Sequence, residues 1–266
     1  MTETYWNAAA YDDLSDPMFE WGMAVLETLP LSGGERVLDA GCGSGRLTEE
    51  LLGRLPAGEV VALDSSPQML EQARQRLSRF GGRVEYVEAS LQEFELADFK
   101  SANPVDGIFS NAVFHWVPDH LAMFRCLYAA LKPGKPGGWL VAQFGGVGNL
   151  ARAHRRTDAV AAEARFKEHL AGVEYGPHFE DTASTRQRME AAGFRVSEAR
   201  LHTVEARFER RERYEAFLRT VVLRQLVAKL PENLQSEFLE EISRRTLREE
   251  GRYTLDYVRL TARATS

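Results

Sequence analysis

Apolar positions follow two different patterns over the first 146 residues of the chain. Short apolar runs, as long as buried strands, are separated by stretches in which apolar residues recur every three or four positions. Strands that alternate with helical stretches predict βαβ units and a parallel sheet with helices on both faces. The apolar runs predict five strands, at residues 36–40, 60–64, 83–88, 105–110 and 138–144.

The pattern changes after the fifth predicted strand. Residues 151–170 are rich in Ala, Arg and Glu and predict one continuous helix. Two more strands are predicted, at 194–204 and 253–263, and they flank helices near 210–230 and 233–249. The wide apolar face of the first of these helices is typical of a packing helix. The alternative is that this face forms the roof of an apolar substrate pocket.

A glycine-rich turn, Asp-Ala-Gly-Cys-Gly-Ser-Gly at residues 39–45, follows the first predicted strand. Glycine tolerates positive φ and lets a ligand approach the backbone, and a helix beginning near Arg46 would direct free N–H groups to the same place. A second acid, Asp64, ends the next predicted strand, 19 residues after Gly45. A carboxylate there can bind the two hydroxyl groups of a ribose. The turn predicts a nucleotide-type ligand, and a tight turn without a ligand is the alternative.

The spacing of these glycines does not match the dinucleotide fingerprint. That fingerprint is G-x-G-x-x-G, and its third glycine falls on Arg46 in this chain. A nicotinamide-dependent reductase is therefore a disfavoured alternative.

Composition and charge set further bounds on the function. A chain of 266 residues suits one large α/β domain with an elaboration. Without a long apolar run or a signal-peptide pattern, it is expected to be cytoplasmic with no membrane partner. Cys42 and Cys126 are too few for a disulfide framework or a metal cluster, so no metal is expected. Residues 1–150 hold 20 acidic and 11 basic side chains and residues 151–266 hold 19 and 22, which predicts no nucleic-acid partner.

Four motifs, in sequence order, resemble those of the class I S-adenosylmethionine-dependent methyltransferases. The turn at 39–45 is similar to the first motif of that family, and Asp-Ser-Ser-Pro-Gln-Met-Leu at 64–70 is similar to the second. Ile-Phe-Ser-Asn-Ala at 108–112 resembles the end of the fourth strand, and 131–140 resembles the turn before the fifth. The resemblance implies an α/β, Rossmann-like sheet of seven mostly parallel strands. The last strand would be antiparallel, with helices on both faces and a helical cap.

The expected organisation is a single methyltransferase domain, acting as a monomer or homodimer. Residues 1–34 would form an N-terminal helical lid, and 35–148 the cofactor-binding core. The helical cap would comprise 149–185 and 207–250, and the final helix and strands of the sheet would comprise 186–206 and 251–266.

The resemblance implies S-adenosylmethionine as cofactor and assigns its contacts. Asp39 would hold the ammonium group directly or through water, and Asn111 would receive it through its backbone carbonyl. Asp64 would bind both ribose hydroxyls. The other implied contacts are Gly41 and Gly43 with the methionine part, and Ser65, Met69, Ser90 and Leu91 with the adenine side. Relatives usually have an Asp where this chain has Ser90, so adenine recognition departs from the family pattern.

Methyl transfer from a sulfonium is an in-line displacement that needs a nucleophile held about 3 Å from the methyl carbon. A carboxylate nucleophile needs no base, whereas a phenol or amine would be helped by one. His115 is the nearest candidate base, and its alternative role is a hydrogen bond to the backbone of its loop. Trp116 either forms a wall beside the methyl group or anchors the loop.

Trp6, Tyr11 and residues 111–120 resemble segments of the trans-aconitate, malonyl-carrier-protein and juvenile hormone acid methyltransferases. Those enzymes methylate carboxylates. The expected function is O-methylation of a carboxylate or hydroxyl of a small molecule. Alternatives are an N- or C-methyltransferase, or a cyclopropane-forming relative, that acts on a natural product or lipid, and a catalytically silent cofactor-binding regulator. The expected acceptor contacts are Trp6, Tyr11, His115, Trp116 and Arg152, although Arg152 also suits a solvated helix face.

Overall fold

The parallel strands expected from the apolar runs lie side by side in one sheet. A computed structural model of the chain describes residues 16–134, 137–173 and 175–266, with side chains from Met18 onward. Within these residues seven strands pair in the order β3-β2-β1-β4-β5-β7-β6. The strands are β1 Arg36–Ala40, β2 Glu59–Asp64, β3 Val84–Glu88, β4 Gly107–Asn111, β5 Trp139–Gly145, β6 Arg195–Phe208 and β7 Tyr253–Thr265.

The first five strands run parallel, and β7 is antiparallel to both of its neighbours, β5 and β6. This arrangement confirms the predicted Rossmann-like sheet with its last strand antiparallel. β1 lies between β2 and β4, so the strand order reverses beside β1. In open α/β sheets ligands bind at the carboxyl ends of the strands beside such a reversal.

Helices cover both faces of the sheet. On one face lie α1 Asp16–Leu26, α2 Arg46–Gly53 and α3 Pro67–Leu77, whose apolar side chains join those of β1 and β2 in one buried cluster. On the other face lie α4 His120–Ala130 and α7 Thr182–Ala191. Local capping explains two of the starts, because Ser66 accepts from the Met69 N–H before α3 and Asp119 accepts from the Ala122 N–H before α4.

A third apolar cluster joins the remaining helices to the carboxyl end of β6 and the amino end of β7. Tyr214, Phe217 and Phe238 are fully buried in it. These helices are α5 Ala151–Ala161, α6 Ala164–Leu170, α8 Arg211–Phe217, α9 Arg224–Val227 and α10 Glu232–Glu250. The division of the chain into lid, core and cap stays a prediction.

Two helices expected to be continuous are interrupted. The expected helix at 151–170 is wrong as one element, because Glu163 is extended and starts a new helix. The Glu163 carboxylate there pairs with Arg165 and with Arg245 of α10, and the pair with Arg245 is a tertiary contact that periodicity does not reveal. The expected helix at 210–230 is also wrong as one element, since a wide π turn at Leu218–Val222 separates α8 from α9.

Candidate active site

The carboxyl ends of β1, β2 and β4 border a cavity of ≈ 620 Å³. Small-molecule sites usually have volumes of about 300–1,000 Å³, so this cavity can hold a ligand of nucleoside size or larger. The cavity brings together all nine residues predicted as cofactor contacts. They are Asp39, Gly41, Gly43, Asp64, Ser65, Met69, Ser90, Leu91 and Asn111.

The Asp39 carboxyl group is buried at the end of β1. One of its oxygens accepts a hydrogen bond from the Thr48 hydroxyl, with 2.6 Å between the two oxygen atoms. Burial, and after it the negative charge of Asp64, raises the pKa of Asp39 to about 7, although the Thr48 bond acts in the opposite direction. A cation brought into the cavity would therefore stabilise the ionised form of Asp39.

The Asp64 carboxylate is held between the glycine turn and the start of α3. Oδ2 accepts from the Gly43 N–H at 2.9 Å, and Oδ1 accepts from the Ser66 N–H at 2.9 Å. Burial raises the pKa of Asp64, and these backbone donors offset part of that rise. Each carboxylate oxygen can accept more than one hydrogen bond, so Asp64 retains the capacity to bind hydroxyl groups.

Two glycines of the turn are needed for different reasons. Gly41 has a φ of 85°, and a Cβ atom there would lie 2.4 Å from a methyl carbon of Val113. Gly43 has a φ of 54°, but a Cβ atom there would meet nothing within 4 Å and would project into open space. Gly41 therefore allows the turn to pack, whereas Gly43 leaves the cavity free for a ligand.

Helix α1 covers one side of the cavity through Met18 and Phe19. The Asn111 side-chain N–H donates to the Met18 carbonyl at 3.2 Å, which ties α1 to the end of β4. The Arg46 guanidinium lies over the Phe19 ring, with its central carbon 4.4 Å from the ring centroid. Arg46, which occupies the position of the third glycine in the dinucleotide fingerprint, thus contacts α1.

His115 lies on a short turn directly after β4, and it is buried. Its Nδ1 accepts a hydrogen bond from the Gly145 N–H, with 3.1 Å between the nitrogen atoms. Burial is the main cause that lowers the pKa of His115 well below its usual value, followed by the charge of Arg259 and by His120. The ring is therefore neutral, and because Nδ1 accepts, its proton lies on Nε2.

A second, smaller cavity of ≈ 50 Å³ adjoins the first, and Met18, Ala112 and Trp116 line both. Its volume suits one or two groups the size of water, at roughly 30 Å³ each, so it can admit one end of an acceptor molecule. The lining residues of the smaller cavity come from α1, the β4 loop, the start of α5, the segment before α7, the π turn and β7. Those that bear on the chemistry are His115, Trp116, His154, Phe179, Tyr257 and Arg259.

Comparisons with known proteins agree with this geometry. The family described as "Methyltransferase domain" matches residues 37–134. A trans-aconitate 2-methyltransferase of Variovorax paradoxus is 30% identical to the chain over an alignment of 272 positions, which covers 96% of this chain and 96% of the relative.

The chain belongs to the class I S-adenosylmethionine-dependent methyltransferases. It is related to the trans-aconitate 2-methyltransferases within them. A second relative of that name, from Methylobacterium nodulans, is 36% identical over 172 residues, which cover 63% of this chain and 60% of the relative. The alternative of a nicotinamide-dependent reductase is set aside by this membership.

Solved structures show the same fold for this methyltransferase. Phosphoethanolamine N-methyltransferase 2 of Haemonchus contortus, in complex with phosphomonomethylethanolamine and S-adenosylhomocysteine, superposes with a TM-score of 0.59. The match covers 99% of this chain and 59% of that chain, at 20% sequence identity. Similarity at this level of identity establishes the shared fold alone.

The predicted acceptor contacts of the methyltransferase have different positions. His115 and Trp116 lie in the smaller cavity, whereas Trp6 and Tyr11 lie outside the described residues. Arg152 is not among the residues that line either cavity. Its guanidinium lies near three carboxylates, at 3.7 Å from Glu205, 3.6 Å from Glu250 and 3.7 Å from Asp256.

Sequence reasoning missed one cation of the smaller cavity, Arg259. His154, which also lines this cavity, stacks on Phe179, with 6.2 Å between the ring centroids. In β7 Arg259 continues the row of alternate positions that Leu255 and Tyr257 occupy, and Thr261 and Arg263 follow it in the same row. Because that row holds a second arginine, the sequence alone did not single out Arg259.

No cluster of His, Cys, Asp or Glu among the described residues of the methyltransferase could hold a metal ion. The helices of the described part are also too short or too polar to span a bilayer.

Proposed function

We propose that this methyltransferase binds S-adenosylmethionine in the larger cavity and methylates a carboxylate oxygen of a small-molecule acid whose carboxylate enters the smaller cavity. The observation that carries the choice of acceptor is the hydrogen bond from the Gly145 N–H to Nδ1 of His115. This bond makes His115 a hydrogen-bond donor at Nε2.

The residues of the larger cavity fit the proposed cofactor. Asp39 offers a buried carboxyl group whose ionised form a ligand ammonium would stabilise. Asp64 offers a carboxylate, fixed by two backbone donors, for the ribose hydroxyls. Gly43 leaves open space for the methionine part, and Ser90 and Leu91 border the side proposed for adenine.

When bound, S-adenosylmethionine supplies a methyl group that leaves its positive sulfur, which keeps the bonding electron pair, as the new carbon–oxygen bond forms. The protein must hold the acceptor oxygen in line with that bond and exclude water. Trp116, Ala112 and Met18 border both cavities and therefore flank the place where the two ligands would meet.

The state of His115 favours an acceptor that is already ionised. A general base needs a free lone pair at the atom that faces the nucleophile. In His115 the lone pair of Nδ1 is used by Gly145, and Nε2 carries the proton. A carboxylate needs no base at neutral pH, and it can accept the hydrogen bond that Nε2 donates.

The test is an acceptor assay with methyl-labelled S-adenosylmethionine. Trans-aconitate is the first acid to try, because the named relatives are trans-aconitate 2-methyltransferases. It is assayed beside amines, phenols and alcohols of similar size. The product is then treated with alkali, which hydrolyses methyl esters but not methyl ethers, N-methyl or C-methyl groups.

Labelled product from acids, released as methanol by alkali, is the expected result. Labelled product that survives alkali, or turnover of amines or phenols alone, would refute carboxylate methylation. Saturable binding of S-adenosylmethionine, measured separately by calorimetry, tests the cofactor assignment without any acceptor.

A further inference from the structure

Asn149 is a buried polar residue in the wall of the smaller cavity. It lies in the loop between β5 and α5, and only 4 % of its surface is exposed. Its side-chain oxygen Oδ1 accepts a hydrogen bond from the Val258 N–H of β7 at 2.8 Å. Because a backbone N–H can only donate, this contact identifies the atom as the oxygen and fixes the orientation of the amide. The nitrogen Nδ2 and its two N–H groups therefore lie on the other side of the amide from Val258.

Nδ2 of Asn149 lies beside Gly145 and near His115. A Cβ atom added at Gly145 would lie 3.0 Å from Nδ2 and 2.6 Å from the ring of Phe179, which lines the same cavity. The Gly145 N–H in turn donates to Nδ1 of His115. Gly145 therefore contacts both side chains that carry N–H donors in this cavity wall, Asn149 and His115.

The polar side chains of the smaller cavity have unused hydrogen-bonding capacity. No residue in the described part of the chain accepts a hydrogen bond from Nδ2 of Asn149. The buried Nε2 of His154, in the same cavity, also lacks a hydrogen-bond partner among the described residues. Leaving a buried polar group unpaired costs about 1–3 kcal/mol, so native proteins rarely do so. A polar ligand in this cavity would complete these hydrogen bonds.

The loop that carries Asn149 is held to β7 at three positions. The Gly146 N–H donates to the Val258 carbonyl at 3.0 Å, and the Leu150 N–H donates to the Asp256 carbonyl at 2.7 Å. The third bond is the one from Val258 to Asn149. Leu150 adopts a φ of 58°, a conformation that costs a non-glycine residue of order 1–3 kcal/mol and is typical of functional sites. These contacts keep Asn149 in one position beside the cavity.

We propose that Asn149 is a specificity-determining residue that binds the acceptor carboxylate by donating a hydrogen bond from Nδ2 to the oxygen that is not methylated. This inference rests on the proposed function for its acceptor class, but it concerns binding, which can be measured without methyl transfer. A carboxylate accepts several hydrogen bonds and donates none. Two N–H donors, from Asn149 and His115, therefore select it over an amide of the same size, whose NH₂ group would face a donor.

The test is calorimetric titration of the full chain, saturated with S-adenosylhomocysteine, with three unsaturated acids: crotonate, fumarate and trans-aconitate. Crotonamide is the neutral counterpart of crotonate. The titrations are made at about pH 8.5, where a buried carboxyl group with a moderately raised pKa is still ionised.

The variants are Asn149→Asp and Asn149→Ala. The first keeps an oxygen for the Val258 N–H and replaces Nδ2 by a second oxygen, whereas the second removes both groups without adding charge. Asn233→Asp is the matched control, because Asn233 is exposed on α10 and lines neither cavity. Thermal unfolding checks that each variant is folded.

Both Asn149 variants are expected to weaken binding of the acids by roughly 10- to 100-fold, the range for a hydrogen bond to a charged group. Asn149→Asp is also expected to bind crotonamide more tightly than the unaltered protein does, because its new oxygen accepts from the amide NH₂. Affinity for S-adenosylhomocysteine should not change, and Asn233→Asp should bind the acids normally. If Asn149→Ala does not fold, the gain of crotonamide binding by Asn149→Asp decides the question.

A purely structural Asn149 would give normal acid binding in Asn149→Asp, which keeps the bond to Val258, and a loss in Asn149→Ala alone. An effect of the added charge alone would give a loss in Asn149→Asp without a gain of crotonamide, and normal binding in Asn149→Ala. Either pattern would overturn the inference, and so would failure of all three acids to bind the unaltered protein.

The inference and the proposed reaction can fail separately. If the acids bind and both variants lose them, but no methyl ester forms, the inference stands and the proposed reaction fails. If methyl esters form but the variants bind the acids normally, the inference fails and the proposed reaction stands.

Discussion

The backbone N–H of Gly145 donates a hydrogen bond to Nδ1 of His115, across 3.1 Å between β5 and the turn after β4. The bond selects one tautomer of the imidazole, with its proton on Nε2. The sequence position of His115 makes it a candidate base, but this bond arranges its Nε2 as a hydrogen-bond donor.

His115→Gln is therefore expected to lower kcat/KM for an acid acceptor by about 10- to 100-fold, the contribution of a hydrogen bond to a charged group. Because the pKa of His115 lies well below its usual value, its charge does not change above about pH 6.5. Profiles of kcat against pH, at saturating cofactor, should have the same shape in both proteins. An acidic limb near the ordinary histidine pKa that disappears in the variant would show that His115 is a base. His169→Gln, in helix α6 and outside both cavities, is the control.

Asp64→Ala is expected to weaken binding of S-adenosylmethionine by about 1.5–3 kcal/mol, because hydrogen bonds to a charged group are lost. Asp64→Asn keeps the size of the side chain and separates the loss of charge from a collapse of the turn. Calorimetry gives the dissociation constants, and thermal unfolding checks that both variants are folded. An unchanged dissociation constant would contradict the ribose assignment. Asp158→Asn is the matched control. The Asp158 side chain is exposed, and its carboxylate accepts a hydrogen bond from the Tyr175 hydroxyl.

The raised pKa of Asp39 predicts that the affinity for the cofactor falls as the pH is lowered. Its pKa of about 7 means that it is largely protonated below neutrality and must lose that proton to pair with a ligand ammonium. Affinity for S-adenosylhomocysteine should therefore fall as the pH drops below 7, approaching about tenfold per pH unit.

Methylthioadenosine is the matched ligand for this measurement, because it keeps the ribose and adenine but lacks the ammonium. The difference between the pH profiles of the two ligands isolates Asp39 from Asp64. Asp39→Asn should remove that difference. Identical profiles for the two ligands in the unaltered protein would rule out the ammonium contact.

Gly41→Ala is expected to lower the stability of the protein, whereas Gly43→Ala is expected mainly to weaken cofactor binding. At Gly41 a new Cβ would overlap Val113, so the free energy of unfolding should fall by more than the roughly 1–2 kcal/mol that left-handed backbone costs alanine. At Gly43 the Cβ has room, so the protein should lose only about that backbone cost but bind S-adenosylhomocysteine weakly. Denaturant unfolding and calorimetry on both variants give the comparison. Normal cofactor binding by folded Gly43→Ala would remove Gly43 from the binding surface.

The cofactor side of the site could be predicted from sequence because its signals are local. Asp39, Gly41 and Gly43 belong to one turn, and Asp64 ends the next strand of the same βαβ unit. Short apolar runs predicted the seven strands because they reflect burial of each segment by itself. The same local patterns could not show that Glu163 interrupts a helix, because its partner Arg245 lies 82 residues away.

The residues of the smaller cavity were decided by tertiary structure. Sequence position favoured Arg152, the first cation after the fifth strand, but Asp256 and two glutamates surround its guanidinium outside both cavities. Arg259 reaches the site because β7 inserts beside β5, which brings it to Gln143, 116 residues earlier in the chain.

The sequence by itself determined the fold class, the glycine turn and the two acids that end neighbouring strands, because dihedral preference and alternating burial act between residues close in the chain. Only the tertiary structure decided which cation lines the smaller cavity and which nitrogen of His115 carries the proton. Both depend on strand order and on hydrogen bonds between distant segments, and these exist only once the sheet has assembled.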